Sequence, residues 1–135
     1  MWTATTIGFF SVVCARCEGG RGPIDPDLVM IRARLRSHLI ALQNRFPDEA
    51  GTVPILESAH ADYRFRIIVP KVAWARMLSA LVMEDLDYAN YKSAAAAANP
   101  GPEGARFLDA LHRTWSVMRS IERPRSSERP DSRRR

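Results

Sequence analysis

Lysine is nearly missing from this chain: of 20 basic residues only Lys71 and Lys92 are lysines, and the rest are arginines. That bias reflects coding composition as readily as selection for bidentate contacts to phosphate or carboxylate. Cysteine stops at two and histidine at three. Cys14 and Cys17 form a single CxxC, whereas a structural zinc site needs four ligands, and His38, His60 and His112 are scattered without ligand spacing. No metal and no cofactor are expected. A redox CxxC opens a helix, where the dipole lowers the thiol pKa, but this one runs into Glu18-Gly19-Gly20-Arg21-Gly22-Pro23, a loop. The pair therefore reads as one buried strand cysteine and one loop cysteine. The loop lacks the GxxxxGK[ST] spacing of a phosphate cradle and reads as a long hairpin connection. The longest apolar run, Ile7 to Ala15, is far below the roughly 20 residues of a spanning helix and has no basic residue before it. No membrane partner and a cytoplasmic setting are the expectation.

What is present suffices for one hydrophobic core. With 135 residues and 46% apolar composition, a single α+β domain is expected over residues 1–122, with a disordered basic tail over 123–135. From Glu122 onward there are six arginines and three acids, so +3 of the formal +5 charge sits at the end of the chain. The high pI is thus weak support for a basic binding domain.

The central stretch runs from Asp62 to Ser93. Tyr63, Phe65, Ile67 and Val69 alternate with Arg64, Arg66 and Ile68, the period of a strand with one buried face, and Pro70 ends it. Trp74, Met77, Leu78 and Leu81 then recur at helical spacing. Residues 86–92 read as a returning strand, and Ser93 with five alanines as the start of a helix. Earlier in the chain, Ile7–Ala15 reads as a central strand and Leu28–Leu35 as a second. A helix carrying Leu35, Leu39, Leu42 and Phe46 follows, with Ser37 able to cap it and Pro47 to stop it. Residues 47–54 read as connection, and residues 55–61 as an edge strand or a loop. As a strand they complete a ferredoxin-like split βαβ sheet of four to five strands, with helices on one face. An extra C-terminal helix begins near Glu103, and Phe107, Leu111, Trp115 and Met118 give it a face for docking on the body.

Two constellations are candidates for function. Arg32 and Arg34 share a strand face, as do Arg64 and Arg66; if the faces coincide, the open side of the sheet carries guanidiniums suited to carboxylates or phosphates. Sheet-face RNA readers also expose aromatics, and the alternation points Tyr63 and Phe65 the other way. The second set is Asp87, Tyr88, Asn90, Tyr91 and Lys92, with His112 and Arg113 expected near them. Asp87 or His112 is a candidate base for a small hydrolase or nuclease in which Lys92 supports the charge. Nothing in the spacing demands catalysis: Asp87 and Asn90 equally suit turns and caps, and the tyrosines suit packing with polar tips. The expectation is a non-enzymatic interaction domain that recognises an acidic protein surface or a partner subunit, self-association included. Nucleic-acid binding through the arginine faces and tail is the alternative.

Met1-Trp2, GFFSVV at Gly8–Val13, IRAR at Ile31–Arg34, ADYRFR at Ala61–Arg66, DYANYKS at Asp87–Ser93 and His112-Arg113 before Trp115 together resemble an uncharacterised family of small bacterial proteins. The resemblance spans most of the body but not the tail. It implies a recurring fold and carries no catalytic residue across.

Overall fold

A computed structural model describes residues 1–121. Glu122 and the expected tail from residue 123 lie outside the described residues. The chain divides into two compact units, Met1–Asn99 and a second that begins at Pro100.

The first unit is built on a five-stranded sheet in which every neighbouring pair is antiparallel. Its strands are β1 (Trp2–Thr5), β2 (Gly8–Arg16), β3 (Ile24–Ala33), β4 (Leu56–Glu57) and β5 (Phe65–Pro70), in the spatial order β1-β2-β3-β5-β4. The valine- and phenylalanine-rich sequence of β2 suits a central strand. A hairpin joins it to β3 through α1 (Cys17–Gly20), a single turn in which Glu18 and Gly19 both take left-handed backbone angles. Cys14 is exposed, and the β2–β3 register shifts between it and Arg16; the expectation of a buried strand cysteine is corrected.

Helices α2 (Arg36–Arg45) and α4 (Lys71–Met83) cover one face of the sheet. Phe10 and Val12 of β2, Val29 and Ile31 of β3, and Ile67 and Val69 of β5 meet Leu39, Leu42, Trp74, Met77 and Leu81 in one core. Each large apolar side chain buried there contributes about 1.5–3 kcal/mol. Pro47 opens the short helix α3 (Pro47–Ala50), where a plain connection was expected, its missing N–H costing nothing at a first turn. Arg45 at the end of α2 holds Asp85 at 2.9 Å and Glu84 at 2.6 Å beyond the end of α4. These carboxylates raise its pKa further above the usual arginine range.

The ferredoxin-like order is not the one formed. β4 runs parallel to β3 with β5 between them, but the remaining edge of β3 is paired with β2, which precedes it in sequence. No place is left there for a strand at 86–92. Those residues instead form a loop that enters α5 (Tyr91–Ala98), whose first turn is capped by Asn90 Oδ1 accepting from the Ser93 amide at 3.2 Å. The alanine run favours that helix. Residues 55–61 contribute only the two-residue edge strand β4. The second unit is described through α6 (Gly101–Ile121), which opens two residues before the expected start at Glu103. No helix among the described residues is long and apolar enough to cross a membrane.

Candidate interaction surface

Burial alternates along β3 and β5: Val29, Ile31, Ala33, Ile67 and Val69 are buried, while Leu28, Met30, Arg32, Arg66 and Ile68 between them are not. The second set lies on the face turned away from α2 and α4. Cross-strand pairing places Trp2 opposite Ser11, Ser11 opposite Arg32, Arg32 opposite Arg66, and Arg66 opposite Leu56, one row running across all five strands. A second row holds Val13, Met30 and Ile68. Phe9 stands diagonally from Trp2, with the rings edge to face at 5.6 Å.

The two arginine faces therefore coincide for Arg32 and Arg66, which are direct cross-strand partners. Like charges placed opposite one another destabilise a sheet unless they are stabilised locally. Here oxygens and one ring do so. Arg32 donates from Nη2 to Ser11 Oγ at 2.7 Å and from Nε to the Ser11 carbonyl at 3.4 Å, and Arg66 donates from Nη2 to the Tyr63 carbonyl at 3.0 Å. The Arg32 and Arg34 guanidiniums lie over the Tyr63 ring, at 4.9 and 4.5 Å from its centre. Arg34 also holds Asp62, at 3.0 Å to the carboxylate and 2.8 Å to the carbonyl. Among the described residues no carboxylate pairs with Arg32 or Arg66, and the buried Arg66 Nε has no hydrogen-bond partner.

Two expectations are corrected here. Tyr63 does not continue the inward alternation of Phe65, Ile67 and Val69, because β5 begins only at Phe65; its ring lies with the arginines. Arg64 does not join Arg66: its Nε donates to Glu57 Oε1 at 2.7 Å at the β4–β5 edge. Trp2, which was not among the expected site residues, stands at the end of the arginine row and is 71% exposed. The four residues of β1 were the missed signal, since their short Trp-Thr-Ala-Thr run precedes the apolar stretch that marks β2.

Asp87, Tyr88 and Asn90 lie in the loop before α5 and Lys92 in its first turn, whereas His112 and Arg113 stand on α6 in the other unit. Tyr91 donates its hydroxyl to the Thr5 carbonyl at 3.1 Å and packs on Tyr88 at 6.2 Å. Burial, with a smaller effect of Tyr88, pushes the Tyr91 pKa up to about 12. Arg113 holds Asp109 one turn earlier at 2.7 Å, and the His112 ring lies 5.9 Å from that of Trp115. Tyr88 lines a pocket of about 140 Å³ together with residues that include Ala4, Leu78, Leu81 and Asp85. Among the described residues no three His, Cys, Asp or Glu side chains gather as metal ligands.

The chain matches no protein-family model, no curated protein and no solved structure.

Proposed function

We propose that this protein is a small interaction domain whose open sheet face binds a partner protein bearing a carboxylate amid apolar side chains. The observation that carries the reading is the row Trp2–Ser11–Arg32–Arg66, flanked by Val13, Met30 and Ile68, on strand faces with no acidic residue. Aromatic residues, methionine and arginine, with lysine and acids depleted, are the composition of an interface core. Tryptophan and arginine are also the residues on which binding energy concentrates. The two guanidiniums in register offer a fork for a carboxylate, which adds orientation to apolar contact. Both cysteines are free, which suits a reducing cytoplasm.

A second reading, single-stranded nucleic acid, is favoured by one observation: an exposed aromatic, Trp2, shares the arginine face. The apolar row beside the arginines supports the protein partner more strongly, because a nucleic-acid groove tracks a phosphate backbone with positive charge. Panning a random peptide library against the purified chain separates the readings. Selected peptides are expected to pair Asp or Glu with aliphatic or aromatic residues, and to lose about 30-fold or more in affinity against Arg32→Ala/Arg66→Ala. Binders indifferent to that substitution would refute the face. Oligonucleotide binding that is abolished by it, and that weakens steeply with salt, would transfer the face to nucleic acid.

A further inference from the structure

The last three turns of α6 group their apolar side chains on one side. At about 100° per residue, Leu111, Trp115, Met118, Ile121 and Val117 fall within an arc of about 160°, which also holds Ala110 and Thr114, the latter with its hydroxyl donating back to the Ala110 carbonyl at 2.9 Å. Opposite them stand His112, Arg113, Ser116, Arg119 and Ser120, and no acidic residue occurs between Asp109 and Ile121. Val117, Met118 and Ile121 are 66%, 58% and 73% exposed. Contiguous apolar surface of this kind on a folded element marks a contact.

Width and charge decide its nature. The arc is wider than the two-in-seven seam of a coiled coil, and with arginines and no acid on its polar side it has the pattern of an interfacial helix. Pairing the exposed halves of two copies would also bring Arg113 and Arg119 of each toward those of the other. Beyond Ile121 the sequence continues with six arginines against three acids. The Arg119 guanidinium lies 5.4 Å over the Trp115 ring, a basic head beside an aromatic at the edge of the apolar arc.

We propose that the 110–121 face of α6 lies on an anionic phospholipid surface, its apolar arc at the acyl boundary and its arginines among the headgroups. This is independent of the sheet face. The expectation of no membrane partner rested on spanning length and on the lack of a basic residue before Ile7–Ala15, neither of which an interfacial helix needs. The test is co-sedimentation of the full chain with phosphatidylcholine vesicles and with mixed phosphatidylcholine–phosphatidylglycerol vesicles. Binding is expected to the mixed vesicles only, and Met118→Glu/Ile121→Glu should reduce partitioning about tenfold or more with an unchanged circular dichroism spectrum. Three results overturn the proposal. The full chain fails to sediment with anionic vesicles; the double variant binds as well as the parent, leaving the arginine-rich end as the sole attachment; or light scattering shows a dimer that the double variant loses, with no vesicle binding.

Discussion

Replacing Gly8 with alanine tests how the sheet and α2 are locked together. Gly8 opens β2 directly beneath His38, and a Cβ built on it meets His38 Cγ at 2.6 Å and Cβ at 2.7 Å. Those atoms belong to the root of a side chain that is 4% exposed, so no rotation relieves the clash. The ring is also fixed by function within the fold: its Nδ1 accepts from the Phe9 amide at 3.4 Å, and it packs edge-on to Phe10 at 6.3 Å. Forcing extra volume into such a site costs about 1–3 kcal/mol. Each kcal/mol moves the thermal midpoint of a chain this size by roughly 4 °C, so Gly8→Ala should lower it by about 4–12 °C. Thermal melts of Gly8→Ala, His38→Gly and the pair form a double-mutant cycle. Without the His38 Cβ and ring, Gly8→Ala should cost at least ~1 kcal/mol less, although the φ of 157° leaves part of the strain in place. An equal cost of Gly8→Ala in both backgrounds would refute the contact.

Three further expectations concern stability. Tyr91 should ionise near pH 12, and Tyr91→Phe should remove that late step from a spectrophotometric titration. Its folded pKa lies above the ordinary tyrosine value of 10, so its contribution is intact below about pH 10 and is lost as pH rises toward 12, which denaturation across that window measures. Asn90→Ala removes the cap of α5 and should cost about 1 kcal/mol in a urea titration. Trp74→Phe should cost under about 1.5 kcal/mol, well below a truncation to alanine, because it also removes the buried Nε1 that lacks a partner.

The strands with strong apolar content were legible. β2, β3 and β5 announce themselves by valine, isoleucine and phenylalanine, and α4 by the spacing of Trp74, Met77 and Leu81. Errors arose where local pattern competed with partners remote in sequence. Leu86–Lys92 has strand-favouring tyrosines, but β2 had already taken the edge of β3, and Asn90 caps the alanine helix. Tyr63 continues the period-2 pattern by one residue too many, since the strand starts at Phe65 and the loop carries the ring to the arginine side. The candidate face was half legible. Arg32 and Arg66 were visible as strand arginines, but their direct opposition depends on register, which alternation within one strand does not encode. Trp2 was out of reach because β1 is recognisable only once β2 offers it an edge.

A partner seated on the open sheet face is detected most directly by site-specific photo-crosslinking in cells. A benzoylphenylalanine at Ile68 stands in the middle of that face, whereas one at Arg76 stands on the exposed side of α4. A discrete covalent adduct is expected from position 68, lost when Arg32→Ala and Arg66→Ala are added, and none from position 76. An adduct formed from position 76 and not from 68, or one from 68 that persists unchanged without the two arginines, would contradict that placement.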